Sequence, residues 1–243
     1  MPTYRKKVMQ RVFSYTTPQQ RITELDFFRG IALLLMIYFH TIWSMNELFG
    51  YHIAYMSWVN FFIGRISAIG FILISGIVFS LGKFNLKRFL LLTGMSIIIT
   101  VTTYRYNNDY VIRFGILHFF ALSSLIALFF SKMNKYVIMG IGIGIIVAWS
   151  WISNISIQSE YLFFVGVVSK TFQSADYYPL IPWFGVYLIG MGMAKILYEK
   201  RRNIFWKIFD FGPINFIWRH TLAIYILHQP IIIGILYLIN KIR

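Results

Sequence analysis

The chain contains no cysteine, and of its 243 residues only 8 are Asp or Glu and 6 are Pro. Without cysteine there is no disulfide, no thiol nucleophile and no thiolate metal site. Carboxylates are scarce and the 5 histidines fall on different segments without a ligand pattern, so no metal is expected. No G-x-S-x-G element occurs, which leaves a serine-hydrolase elbow unsupported. There is no internal repeat, no low-complexity tract and no glycine-rich loop of the kind that cradles a phosphate. Charged residues make up 13% of the chain, about half the usual share of a soluble domain.

Apolar surface takes their place. The chain is 58% hydrophobic and 19% aromatic, with a mean hydropathy of +0.66. That composition fits an integral membrane protein that crosses the bilayer several times. Residues 1–20 read as a cytosolic basic arm and residues 21–243 as one transmembrane domain. The first apolar run is too long for a signal-peptide core and no small-residue cleavage site follows it, so it reads as a retained first span.

The net charge is +15. Lys and Arg gather at span ends: Arg5, Lys6, Lys7 and Arg11; Lys83, Lys87 and Arg88; Lys132 and Lys135; Lys200, Arg201, Arg202 and Lys207. The positive-inside rule explains this placement, so nucleic acid is not an expected partner. Membrane lipid is, because anionic headgroups attract such clusters. A cytosolic polyphosphate ligand such as a coenzyme could use part of the same surface.

Hydropathy predicts an all-α bundle of about seven transmembrane helices: Leu25 to Met45, Tyr55 to Leu81, Phe89 to Tyr104, Val111 to Phe130, Tyr136 to Ile152, Ile181 to Tyr198 and Phe216 to Ile239. Pro230 should kink the last. Residues 153–179 mix polar clusters with an apolar piece, Tyr161 to Val168, too short to span. They read as a long, re-entrant-like outer loop that folds back on the bundle before the sixth span. Charge asymmetry then puts the N-terminus inside. Gly140 and Gly144 form a small-xxx-small pair expected to pack closely against another helix.

Ionisable groups inside such a bundle need a role or a partner. The opening stretch, RITELDFFRGIALLLMIYFHTIWSMN, carries Glu24, Asp26 and Arg29 at its start and His40 near its end. Arg29 and His40 are eleven residues apart. On a helix that separation returns to within roughly 20° of one face and about 16 Å along it. Asp26 and Arg29, one turn apart, can pair. Arg65 and Arg113 lie in predicted spans, with Asp176 and Asp109 the nearest predicted outer carboxylates; a structural salt bridge is the plain alternative to a functional role for each. His118 and His228 lie in the fourth and seventh spans, Arg219 at the inner start of the seventh, and His52 in the first outer loop. An imidazole suits a general base at neutral pH. Intramembrane His and Arg suit group transfer across the bilayer, and equally a proton-coupled or solute transporter.

The stretch RITELDFFRGIALLLMIYFH resembles the opening of the transmembrane acyltransferase superfamily, in which an arginine, ten residues and a histidine mark the first span. The chain is more closely similar to bacterial and archaeal relatives of the heparan-alpha-glucosaminide N-acetyltransferase catalytic domain. FILISG at 71–76, RFGILH at 113–118, SADYYPLIPWFGVYLIGMGMA at 174–194 and RHTLAIYILHQP at 219–230 follow in the family's order. The resemblance implies acyl transfer from cytosolic acetyl-CoA to a sugar or glycan amine or hydroxyl on the opposite side. It implies that His40 matches the catalytic histidine of the wider superfamily and Arg29 a residue that holds the donor. In the heparan enzyme the position matching His40 is Asn and the key histidine lies in the following outer loop, near His52. Two candidate bases follow, His40 preferred. Arg65 or Arg113 would stabilise oxyanion charge, His118, Asp176 and His228 would shape the acceptor pocket or orient the base, and a homo-oligomer is compatible with the reading.

Overall fold

The computed structural model describes residues 22–155, 161–199, 204 and 221–242. The basic arm and Arg219 lie outside these. Seven α-helices occur among the described residues, and no strand longer than an isolated bridge: α1 (Thr23–Glu47), α2 (Trp58–Leu81), α3 (Leu86–Tyr106), α4 (Ile116–Phe130), α5 (Lys135–Ile152), α6 (Leu180–Leu197) and α7 (Thr221–Ile242). All but α4 are long and apolar enough to cross a membrane, and the chain is an integral membrane protein. Polar residues punctuate the helices as helix-capping chemistry requires: the side chains of Asn85 and Asn134 accept backbone N–H groups at the starts of α3 and α5. α7 runs through Pro230.

The fourth predicted span is shorter than expected. α4 has 15 residues, about 22 Å of helix. Residues 111–115 before it are non-helical and pair instead with the long outer loop. Ala175 N–H donates to Val111 O at 3.1 Å and Tyr178 N–H to Phe114 O at 2.9 Å. Arg113 therefore belongs to this exposed, non-helical approach rather than to a span.

α6 is the centre of the bundle, and glycine puts it there. A Cβ on Gly76 of α2 would stand 2.1 Å from Tyr187 O, and one on Gly190 of α6 would stand 2.2 Å from Leu73 O. The two helices thus touch backbone to backbone, a distance only a missing side chain permits. On the other flank Gly185 of α6 meets Gly142 of α5. Gly140 and Gly144, the expected contact pair, are exposed and have nothing within 4 Å; the packing face of α5 is turned one step, onto Gly142.

The same contacts fix the chain direction. Gly185 meets Gly142 and Ile146, whereas Gly192 meets Met139 and Lys135. α5 and α6 are therefore antiparallel, and residues 153–179 leave and return on one side of the bundle. The loop does fold back: Phe163, Phe164, Tyr177 and Tyr178 pack against the main core around Phe119, Phe184, Tyr187 and Leu188. At the opposite end Lys195 donates to the carbonyls of Ser131 and Met133, closing the end of α4 against α6.

Candidate active site

α1 runs unbroken from Arg29 to His40. Its first turn carries the buried acids. Arg29 pairs with Asp26 at 3.5 Å. Glu24 is fully buried, and its carboxylate accepts the Ile204 N–H with each oxygen at 3.1 Å. Sequence reasoning named Glu24 only as a neighbour of Asp26; the structure makes it the clasp between the first helix and the chain that follows α6.

At the far end of α1 the imidazole of His40 meets that of His228 on α7, ring centroids 5.0 Å apart and edge to face. His228 is buried, and its Nδ1 hydrogen-bonds to the Tyr225 carbonyl. A carbonyl only accepts, so Nδ1 carries the hydrogen and Nε2 of the neutral ring is left as a lone pair. One turn beyond His40, Ser44 Oγ accepts from Gln229 Nε2 at 2.9 Å. The first and last helices thus meet through a polar seam, and His40 has a histidine beside it. His52 stands apart: it is exposed on the loop after α1, which Asn46 ties down by accepting the Ile53 N–H at 3.2 Å.

Tyr225 links this pair to a second polar group. Its ring lies 5.5 Å from that of His228 and also lines a cavity of about 30 Å³ with His118, Asp176, Ser96 and Gly115. That volume admits a water-sized molecule. Asp176, carried in by the outer loop, accepts the Ile116 N–H at 3.2 Å and so caps α4 from 60 residues away. Gly115 leaves the space for it, since a Cβ there would stand 2.6 Å from the carboxylate oxygen. Burial pushes the Asp176 carboxyl up to about 6, and the bond from Ile116 acts in the opposite sense.

His118 is fully committed. Its Nδ1 accepts the Gly115 N–H at 3.3 Å, so Nε2 is the protonated nitrogen and donates to Thr100 Oγ1 at 3.1 Å. Thr100 in turn donates to Ile112 O at 2.7 Å. This histidine joins α3, α4 and the non-helical approach, and no lone pair of it faces a substrate.

The two arginines predicted to lie in spans sit on aromatic rings. Arg65 is exposed and lies over Phe61 and Trp183, 5.0 and 5.6 Å from their centroids. No salt bridge joins it to a described carboxylate. Arg113 lies over Phe172 at 5.6 Å, and its backbone N–H donates to Ser174 Oγ. Asp109 is exposed in a turn (Asn108–Tyr110) after α3. Among the described residues no group of three His, Asp or Glu is placed to hold a metal.

The structure therefore brings His40, His228 and, through Tyr225, Asp176 and His118 into one polar file. It keeps Arg29 with Asp26 at the other end of α1 and leaves His52 and Arg113 outside the file. Tyr225, Ser44 and Gln229 were not singled out from sequence. Tyr225 and Gln229 flank His228 in the run YILHQP, three residues before and one after, and only the pairing of α7 with α1 reveals what they face.

The model of the heparan-alpha-glucosaminide N-acetyltransferase catalytic domain matches residues 21–230. Searches of curated proteins and of solved structures return no match.

Proposed function

The chain belongs to the heparan-alpha-glucosaminide N-acetyltransferase catalytic-domain family, a family of membrane acetyltransferases, and on that premise we propose that it moves an acetyl group from cytosolic acetyl-CoA to a sugar amine or hydroxyl on the opposite side of the membrane. The observation that carries this reading is α1 itself. One continuous helix holds a cation, Arg29, near one end and, eleven residues on, an imidazole set against a second imidazole.

In this reading the N-terminal arm is cytosolic, the membrane is a prokaryotic plasma membrane, and Arg29 orients the phosphate-bearing donor at the inner side. His40 removes the proton from the acceptor O–H or N–H as the oxygen or nitrogen attacks the thioester carbonyl. The C–S bond breaks, coenzyme A leaves as thiolate, and the proton held on His40 neutralises it. A positioned general base contributes about 10²–10⁴-fold to such a step. His40 is preferred to His52 because only His40 stands in a buried polar cluster; an exposed loop imidazole competes with water for its proton. Arg65, on the outer half of α2, is the cation that would meet oxyanion charge.

The test is thiol release from acetyl-CoA by purified protein with a panel of amino sugars. His40→Ala should lose about 10²-fold or more in kcat while His52→Ala keeps most activity. Full turnover in His40→Ala with loss in His52→Ala would transfer the role to the loop.

A further inference from the structure

Three buried side-chain polar atoms among the described residues have no hydrogen-bond partner: Ser123 Oγ, His228 Nε2 and Gln229 Oε1. Two of them are neighbours in sequence. His228 faces His40, and Gln229 faces Ser44. His40 and Ser44 are one turn apart on α1, so both side chains of α7 look into a single seam.

Both orphaned atoms are acceptors. His228 Nε2 is the lone pair left by the bond from Nδ1 to the Tyr225 carbonyl. Gln229 has spent its amide nitrogen on Ser44 and keeps its oxygen. Turning the amide over would still leave one of its two polar atoms without a partner. His228 is only 8% exposed. Lipid chains offer no donor to such a place, and buried acceptors are left open mainly where a ligand or water supplies the hydrogen.

We infer that the seam between α1 and α7 is the acceptor subsite, in which His228 Nε2 and Gln229 Oε1 receive two neighbouring O–H or N–H groups such as the vicinal pair of a sugar ring. The inference rests on the acetyl-transfer reading and adds its specificity-determining residue, Gln229. A ligand with a single donor fills one acceptor and leaves the other open, and a site built to accept hydrogen bonds discriminates strongly against an analogue that lacks the donor. The same seam places the bound group beside His40, which takes the second N–H of a reacting amine, the one neither acceptor holds.

The full chain in detergent is titrated with glucosamine, which carries adjacent donors, and with cyclohexylamine, which carries the amine alone, by saturation-transfer NMR. The wild type should bind glucosamine at least about 10-fold more tightly than cyclohexylamine. Gln229→Met, close in shape but without the acceptor, should weaken glucosamine about 10-fold and leave cyclohexylamine unchanged. Gln229→Glu, which keeps an acceptor oxygen, should retain the preference. Equal affinity of the wild type for both amines, or equal losses for both in Gln229→Met, overturns the subsite. Thiol release from acetyl-CoA is followed on the same samples. Glucosamine binding that depends on Gln229 without any thiol release keeps the subsite and refutes the acetyl transfer. Thiol release with glucosamine affinity untouched in Gln229→Met does the reverse.

Discussion

Asp176→Asn separates the two things the Asp176 carboxyl does. Its oxygen caps α4 through the Ile116 N–H, and an amide oxygen can do the same. Its charge is another matter. Burial raises the carboxyl to about 6, against an ordinary value of 3.8 in the unfolded chain. Between those values the native state holds more protons than the unfolded state, so stability falls as pH rises through the window. Well below pH 3.8 both states are protonated and nothing is lost. Above pH 6 the full difference is present, about 3 kcal/mol for two pH units. Asn carries no proton to lose. The stability of Asp176→Asn relative to the wild type should therefore grow by about 2–3 kcal/mol from pH 4 to pH 7. The assay is denaturant or thermal unfolding in detergent micelles at half-unit pH steps, read by tryptophan fluorescence. Parallel pH profiles for the two proteins, or a wild type that gains on the variant with rising pH, would refute the argument.

Two further outcomes follow from packing and from the clasp. Gly190→Ala places a Cβ 2.2 Å from Leu73 O, and backbone on both sides leaves nothing flexible to move. It should cost at least about 1–3 kcal/mol in the same unfolding assay, whereas Gly144→Ala, in open space, should be neutral or slightly stabilising. Glu24→Gln weakens the hold on Ile204 and should cost about 1 kcal/mol in the same unfolding assay, with Glu24→Ala costing more because it removes the acceptor altogether.

The helical framework was legible because each span is a long apolar run ended by residues with a definite local effect. The basic GKFNLKR and SKMNK turns bracketed α2 to α5 closely, and Asn85 and Asn134 start the helices they precede. The relation of Arg29 to His40 needed only an unbroken helix. What escaped the sequence depends on contacts far apart in the chain. Arg113 belongs to an approach segment because residues 175–178 bond to it, and no local pattern announces that. His118, one of five similar histidines, is set apart only by Thr100 and Gly115, which occupy both its nitrogens. GIGIG offered the spaced pair Gly140 and Gly144 on one face and Gly142 alone on another, and the fit against Gly185 selected Gly142. Asp176, read as an ion-pair partner or a pocket residue, also acts as a helix cap, a role defined by where α4 begins rather than by its neighbours.

The polar seam has a consequence for the order of manufacture. Ser44 and Gln229 stand 185 residues apart in the chain. Synthesis at about 5–20 residues per second puts roughly 10–40 s between their arrivals. For that interval the α7 side chains that meet His40 and Ser44 do not yet exist, while α2 to α6 do, and α2, α5 and α6 can already meet through Gly76, Gly190, Gly142 and Gly185. The seam is thus completed at a single late moment, when α7 docks against a helix that was made first.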